Sequence, residues 1–406
     1  MYDIVIKNAT IINPYKKENY INDLAVKDNI IVKIDKNIND GKIVIDAEGL
    51  YLTPGLIDCH THCYYTTGIP KAWAGDYSII PDAFSFRNGV TTMIDAGSSG
   101  LLNFSHFKST VIERANTKLY AMINICDYGM STLMVEQFPD KFEIDKCIKL
   151  CMEYPDIIVG VKVAHYWFDD WAHIDLGLKV AKETNLPLMV DFGVFKKSRP
   201  THELLNKLRK GDILTHCYRA PVPVIDDNGK VYNYLFEAKE KGVLFDLGHG
   251  QGSFLFRNAH PAIQQNFKPD FVSTDIHVLS MNEGCQDMLC VMSKCLAMGM
   301  TFEEIIEAST IKPANAFSIK DVDKLYNISE GSYANIALFS IMNGKFGYKD
   351  IGGGVLKGDK RIYCELTIKD GEIVWDYNAM AGIDYRKLPR LYSMNFELED
   401  YTPPIQ

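Results

Sequence analysis

Residues 53–62 read TPGLIDCHTH, an apolar run that ends in two histidines, His60 and His62. The apolar part, Leu56–His60, has the character of a buried strand. Side chains alternate along an extended segment, so the two imidazoles project to the same side, where they are able to hold one metal ion between them. Histidines at this spacing also occur as structural pairs, so the interpretation needs support from the rest of the chain.

Strand-like apolar runs alternate with helical stretches from this point onward, which is typical of a parallel sheet with crossover helices. Eight such units within residues 53–319 match the size of a closed barrel, so the sequence predicts an α/β fold, a (β/α)8 TIM barrel. An open doubly wound sheet is the alternative, but no GxGxxG motif follows a strand. The predicted strands are Leu56–His60, Thr91–Asp95, Lys118–Ile125, Ile158–Val163, Pro187–Phe192, Asp212–Cys217, Val243–Leu247 and Phe271–Asp275.

Both ends of the chain have a different texture, with short β-branched runs separated by Asn, Asp, Gly and Lys. Asp370-Gly371 lies between two such runs and predicts a hairpin turn. Residues 1–52 and 320–406 are therefore predicted to form one small β-sandwich domain, with the barrel spanning 53–319. The last part of the chain, from Asn378, shows no clear period.

The bulk composition excludes several classes of protein. A net charge of −9 and a pI near 5.6 argue against a nucleic-acid partner. No run of about 18 apolar residues is present, so no membrane span is expected. The first residues lack the features of a signal peptide, and the ten cysteines form no CxxC pair. Both observations favour a cytoplasmic protein with reduced thiols. Homo-oligomers are common among such barrels, but the sequence indicates no interface.

Polar residues follow the predicted strands at the end where barrel enzymes place their active sites. Lys162 stands inside an apolar run, where an isolated ammonium is costly to bury. His216 and Asp275 end two further strands. Each of these residues alone has a structural explanation, but four strand ends that converge on one face favour a metal site.

The stretch 53–62 resembles the opening of the amidohydrolase superfamily, in which β-sandwich ends surround a metal-binding barrel. Within that superfamily the chain is most similar to the dihydroorotase-like group described as amidohydrolase/deacetylase metallohydrolases. The narrower resemblance rests on three strings, IDAGSSG at 94–100, NFSHF at 103–107 and GHGQGSF at 248–254.

The resemblance implies a set of metal ligands. His60, His62 and Asp275 would bind the more buried of two divalent ions, and His216 would bind the second. Lys162 would carry a carbamate derived from CO2 that bridges both ions. Zinc is favoured, with manganese or iron as alternatives.

One position departs from the group, because the fifth strand usually ends in a histidine and this chain has Asp191 there. A carboxylate is a harder ligand than imidazole, which weakens the argument for two zinc ions. Three readings stay open: Asp191 is a ligand, His165 takes the place of the missing histidine, or the site holds one metal.

The chemistry that follows is hydrolysis of an amide, cyclic amide or ester of a small carboxylic acid. A water activated by the metals would attack the carbonyl. Asp275 would act as general base and then as general acid. The narrower resemblance favours N-acyl or acetyl substrates. Predicted substrate-binding residues are His249, Ser98, Ser99 and Arg219, the last suited to an anionic group.

Three alternatives to this function are kept. The first is a dihydroorotase-like cyclic amidase, which the same centre would support. The second is a deaminase with one metal, against which Lys162 argues. The third is a weakened homologue without catalysis, suggested only by Asp191 in the place of a histidine.

Overall fold

Two β-sheets organise the chain in the computed structural model, which describes residues 1–193, 196–220 and 222–387. The first sheet is mixed and takes its strands from both ends of the chain. Its order is residues 372–376, 355–369, 336–349, 51–54, 2–13, 18–27 and 30–35, with 41–46 paired to 2–13. These strands are β1 (Tyr2–Asn13), β2 (Glu18–Lys27), β3 (Ile30–Asp35), β4 (Gly41–Asp46), β5 (Tyr51–Pro54), β13 (Ile336–Lys349), β14 (Val355–Lys369) and β15 (Glu372–Asp376).

The second sheet is parallel, and its strands neighbour one another in chain order. This arrangement is the one expected from repeated strand and helix units. Its strands are β6 (Leu56–Thr61), β7 (Val90–Ala96), β8 (Lys118–Asn124), β9 (Ile158–Val163), β10 (Leu188–Val190), β11 (Ile213–Leu214) and β12 (Leu244–Phe245).

The segment 271–276 lies between the two edges of this parallel sheet, although it forms no regular strand. Parallel bridges join Phe271 to Asp246 on one side and Ile276 to Thr61 on the other. The buried Asp58 carboxylate also accepts hydrogen bonds from the backbone and hydroxyl of Thr274, at 3.1 and 2.6 Å. The eighth predicted strand therefore joins the first and seventh units and completes the ring.

Helices pack on the outside of the parallel sheet through apolar faces. In residues 144–153, for example, Ile144, Cys147, Ile148 and Cys151 are buried at helical spacing. The helices are α1 (Phe104–Phe107), α2 (Ile144–Glu153), α3 (Ala172–Thr184), α4 (Thr201–Lys207), α5 (Asn233–Lys241), α6 (Phe256–Gln264), α7 (Val278–Met281), α8 (Met288–Ala297), α9 (Phe302–Ala308), α10 (Ile311–Ala316) and α11 (Val322–Leu325). The described helices are all too short or too polar to traverse a lipid bilayer.

The mixed sheet encloses a separate apolar cluster that includes Ile6, Leu24 and Leu338. The predicted hairpin is present between β14 and β15, where Asp370 and Gly371 have φ angles of 51° and 83°. Positive φ at both central residues is the geometry that Asp-Gly favours. The exact division into domains stays a prediction, and its last part, residues 388–406, lies outside the described residues.

Candidate metal centre

A cavity of about 210 Å³ opens at the carboxyl ends of the parallel strands. Most of the residues predicted for the site line it, together with residues that the sequence did not single out. The predicted ones are His60, His62, Lys162, Asp191, His216, Arg219 and Asp275, with His165 as the alternative to Asp191. The others are Trp73, Met130, Gln251, Gly252, Ser253 and His277.

Three side chains of this cavity offer donor atoms close enough to share one metal ion. One ligand atom each from His60, His216 and Asp275 lies within 4.8 Å of the other two. The Asp275 Oδ1 atom is 3.5 Å from Nε2 of His60 and 3.2 Å from Nε2 of His62. Imidazole and carboxylate are the ligands that zinc and related ions accept, so the donor set suits a divalent cation.

The electrostatics of Asp275 agree with this geometry. Burial would raise the pKa of its carboxyl, but the neighbouring His60 and His62 hold that pKa well below the usual value. Asp275 is therefore a carboxylate at neutral pH. It can accept a proton or ligate a cation.

Three residues of the site adopt left-handed backbone conformations that side chains other than glycine rarely take. The φ angles are 54° at His165, 56° at His216 and 49° at Asp275. Such strain clusters at functional sites, where the surrounding structure imposes it. Here the turn directs each side chain into the cavity as the chain leaves the sheet.

His60 is oriented by a buried carboxylate behind it. Its Nδ1 atom lies 2.9 Å from Asp246 Oδ2 and 3.0 Å from Thr215 Oγ1. Burial and the charge of Lys162 lower the pKa of His60 to about 4. A neutral imidazole that donates its Nδ1 proton to Asp246 presents the lone pair of Nε2 to the cavity.

We expect Asp246→Asn to weaken metal binding about 10- to 100-fold, because the orienting carboxylate behind His60 is lost. Competition with a chromophoric chelator measures this change. The control is Asp212→Asn, since Asp212 is equally buried and accepts hydrogen bonds from Leu188 N and Arg209. Equal metal affinity of the two variants would contradict the role of Asp246.

Glycines of the string 248–254 allow a close approach to the site. A Cβ at Gly250, where φ is 53°, would lie 2.2 Å from Asp275 Oδ2. A Cβ at Gly248 would lie 2.8 Å from His216 Nδ1. These positions require glycine because the loop packs directly against two candidate ligands.

Gly250→Ala is expected to lower kcat/KM by about 100-fold, since displacement of a reacting group by about 1 Å has an effect of that size. Gly252→Ala is the matched control, because a Cβ there meets nothing within 4 Å and φ is not positive. Steady-state kinetics on the two metal-loaded variants separates them. A Gly250→Ala enzyme as active as the Gly252→Ala enzyme would show that Asp275 tolerates the shift.

Lys162 is buried beneath the cavity without an ion pair among the described residues. Its Nζ atom contacts His60 Nε2 at 3.2 Å and Met189 Sδ at 3.5 Å. Burial lowers the pKa of its ammonium, although Asp191 and Asp275 oppose the shift. Gly97 makes room for the chain, since a Cβ there would lie 2.6 Å from Lys162 Cβ. The Lys162 amine therefore lies beside His60 Nε2, one of the atoms predicted to bind metal.

Asp191 and His165 both reach the cavity, so the two candidates for the missing histidine lie side by side. Asp191 Oδ2 is 3.4 Å from His165 Nε2 and 3.6 Å from His216 Nε2. Its other oxygen accepts a hydrogen bond from Arg219 at 3.0 Å. Burial would raise the pKa of Asp191, but His216 and Arg219 hold it well below the usual value.

Three residues predicted to bind substrate do not line the cavity. The Ser98 hydroxyl lies 2.8 Å from His62 Nδ1, on the far side of the imidazole, and Ser99 is buried. His249 stacks on Phe254 at 4.6 Å, and its Nε2 accepts a hydrogen bond from Lys294 at 2.7 Å. Of the four predicted substrate-binding residues, only Arg219 faces the cavity.

The sequence reasoning missed residues that support or line the site. Asp246 is the second-to-last residue of the predicted strand Val243–Leu247, so its position was a usable signal. Glu136 is fully buried in a short 3-10 helix, Val135–Gln137, and its carboxylate lies 2.9 Å from His165 Nδ1. Trp73 stacks on His165 with ring centroids 5.0 Å apart. Neither Glu136 nor Trp73 stands at a strand end, so no pattern marked them.

Comparison with known proteins places this geometry in a family. No protein-family model matches the chain. A curated protein named deacetylase from Brucella anthropi is 31% identical over 345 residues, which is 82% of each chain. Another named deacetylase, from Enterococcus faecalis, is 30% identical over 386 residues, 92% of this chain and 99% of that one.

Solved structures give the same assignment. A structure titled as an adenine deaminase matches 93% of this chain and all of that chain, with a TM-score of 0.81 and 28% identity. One titled as a dihydroorotase matches 92% and 99%, with a TM-score of 0.80 and 25% identity. The predicted barrel fold and the predicted hydrolase class are thereby confirmed. The chain belongs to the amidohydrolase superfamily and, within it, to the family of its curated deacetylase relatives.

Proposed function

We propose that this protein is a metal-dependent hydrolase that cleaves an N-acyl or acetyl bond of a small carboxylic acid. The observation that carries the proposal is the convergence of His60, His216 and Asp275 within 4.8 Å at the mouth of the barrel. The deacetylase names of relatives that share 30 to 31% of their residues with this chain favour acyl substrates.

We propose that two divalent ions, zinc in the first place and manganese or iron otherwise, are held by six side chains. When bound, such ions polarise a carbonyl and lower the pKa of water towards neutrality. The more buried group is His60, His62 and Asp275. The outer group would be His216 with Asp191, and Lys162 would contribute oxygen ligands as a carbamate.

The carbamate proposal follows from the surroundings of Lys162. A buried amine with a lowered pKa loses its proton more readily, and the neutral amine is the form that adds to CO2. Addition forms an N–C bond, releases one proton and leaves an anionic carboxylate on the side chain. The product replaces a buried cation by an oxygen ligand.

Asp275 is the proposed catalytic base. Its carboxylate accepts a proton from the attacking water and donates it to the leaving nitrogen or oxygen as the acyl bond breaks. The imidazoles of His60 and His62 lie beside Asp275 and keep its carboxyl group ionised before the reaction. The products are a carboxylic acid and an amine or alcohol.

The Asp191 carboxylate has a second proposed task. Because its two oxygens face different partners, one can ligate while the other stays paired with Arg219. This pairing fixes the carboxylate in one orientation. It also leaves Arg219 at the cavity wall, where its remaining donors can meet an anionic substrate.

A deaminase is the second candidate, because a solved structure titled as an adenine deaminase shares the fold at 28% identity. Release of ammonia from adenine distinguishes it from acyl hydrolysis, and ring opening of dihydroorotate distinguishes a cyclic amidase. A weakened homologue without catalysis would turn over none of these compounds.

The test is hydrolysis of N-acetyl amino acids and acetyl esters by the purified protein, before and after chelation. We expect turnover that falls to background when metal is removed and returns when zinc or manganese is added back. Full activity after exhaustive chelation would contradict the metal-dependent mechanism. Turnover of adenine alone would replace the proposed reaction by deamination.

A further inference from the structure

The polar groups of the cavity divide into two sets. Those on the side of the candidate ligands are already engaged: His62 with Ser98, His216 with the Gly248 carbonyl, and Arg219 with Asp191. Four other side chains of the lining make no hydrogen bond to any described residue. They are Trp73, Gln251, Ser253 and His277.

His277 is the clearest member of the second set. His277 is 3% exposed, and its Nδ1 atom has no hydrogen-bond partner among the residues that the structure describes. The ring lies against Trp73 with centroids 5.9 Å apart and faces His62 at 6.2 Å. A buried polar atom without a partner is rare in folded proteins, so its place in a cavity wall points to a ligand.

The other three members differ in exposure but share a free polar group. Trp73 contributes an indole N–H, which can only donate. Ser253 is 8% exposed and contributes a hydroxyl, and the exposed Gln251 contributes an amide. None of the four carries a formal charge when the imidazole is neutral. Their shared chemistry is neutral hydrogen bonding.

Among the described residues of the lining, the apolar surface comes mainly from Met130 and from the ring of Trp73. An acetyl methyl group gains from apolar contact, so the polar wall offers it little. The wall suits instead the half of the substrate that leaves with the nitrogen or oxygen. About seven water-sized volumes fill the 210 Å³, so that half is small.

We propose that Trp73, Gln251, Ser253 and His277 form a recognition subsite for an oxygen-bearing group, hydroxyl or carboxylate, on the leaving half of the substrate. The inference rests on the proposed acyl hydrolysis. It adds a specificity rule: a substrate without an oxygen at that position leaves the polar groups of the wall unpaired, among them the buried His277 and Ser253, and binds more weakly.

Three acetamides of matched length test the rule: N-acetylglycine with a carboxylate, N-acetylethanolamine with a hydroxyl, and N-propylacetamide with neither. Their affinities are measured by calorimetry on metal-loaded Asp275→Asn protein, which binds without turnover. We expect the two oxygen-bearing ligands to bind about 100-fold more tightly than N-propylacetamide, at about fivefold for each of three hydrogen bonds. Comparison of the first two ligands tells carboxylate from hydroxyl recognition.

Single variants then locate the effect. Trp73→Phe, Ser253→Ala and His277→Leu should each reduce the preference for oxygen-bearing ligands about fivefold, with little change for N-propylacetamide. Trp167→Phe and Ser99→Ala are the matched controls, since Trp167 and Ser99 lie outside the cavity lining. The Ser99 hydroxyl is likewise buried and has no partner within the described part of the chain, so its loss measures the structural effect alone.

The outcomes separate the two proposals. Equal binding of all three ligands, no binding, or equal effects in the control variants would overturn the subsite. If the ranking holds in binding but the wild-type holoenzyme cleaves none of the three, the subsite stands and acyl hydrolysis falls. If the enzyme cleaves all three at equal kcat/KM without a binding preference, acyl hydrolysis stands and the subsite falls.

Discussion

Replacement of Asp275 by asparagine is expected to lower kcat/KM by about 10⁴-fold, the upper end of the range for loss of a general base. Asparagine has the size of aspartate and keeps one of its two side-chain oxygens, but it cannot accept the proton of the attacking water. Because His60, His62 and His216 are unchanged, some metal should stay bound. Single-turnover kinetics and metal analysis on the same sample measure the two effects separately.

The matched control is Asp270→Asn, because Asp270 immediately precedes the segment 271–276 that contains Asp275. Asp270 accepts hydrogen bonds from Phe245 N and Lys239 and does not line the cavity. It should lose stability without a comparable loss of rate. An Asp275→Asn enzyme with an undiminished rate would refute the assignment of the base.

The ends of the first four barrel strands were predicted from the sequence to within about one residue. Each of them is a long apolar run, and burial on both faces leaves such a run few alternatives. Residues 187–192, 212–217 and 243–247 form shorter strands than predicted. Their last residues turn out of the sheet towards the cavity, as the positive φ angle of His216 shows.

The way in which the eighth segment, 271–276, closes the ring could not be predicted from the periodicity of the sequence. Its closure depends on side-chain contacts from distant positions, above all the Asp58 carboxylate on Thr274. Asp58 is buried, which raises its pKa to about 7, while the hydrogen bonds from Thr274 oppose the shift. Long-range hydrogen bonds of this kind have no local signature in a sequence.

The positions at the ends of predicted strands indicated which residues line the cavity, whereas the connecting segments gave no such indication. His60, His62, Lys162, Asp191, His216 and Asp275 all converge because parallel strands end at one rim. His249 has the same kind of position, yet Lys294 draws its ring away from the cavity. Trp73 and Glu136 come from the segments that connect strands to helices, whose paths depend on packing that residue type alone does not specify.

At Asp191 the sequence left open whether this carboxylate or His165 takes the place of the missing histidine. The contacts of Asp191 bear on that question. The carboxylate touches His165, His216 and Arg219 together, so Asp191 and His165 are joint members of one cluster. Exchange of a histidine for an aspartate adds a negative charge beside His216. Arg219 balances that charge, which explains why a buried carboxylate is tolerated here.

Lys162 decides between one metal and two, because it is the group proposed to bridge them. An ammonium in this place would lie 3.2 Å from His60 Nε2 and repel a bound cation. A carbamate on the same side chain would attract it. The two states therefore make opposite predictions for a variant that carries neither charge.

Lys162→Met is expected to reduce the metal content from two ions per chain to one or none and to lower kcat/KM by about 1,000-fold or more, since both the bridging ligand and the correct ion spacing are lost. Lys294→Met is the control, because Lys294 is equally buried but bonds His249 and backbone carbonyls away from the cavity. Elemental analysis counts the ions, and ¹³C NMR after exposure to ¹³CO2 reports the carbamate. If Lys162→Met protein retained two ions and its rate, the lysine would be a structural residue, because a bridging carbamate cannot be removed without changing the metal count.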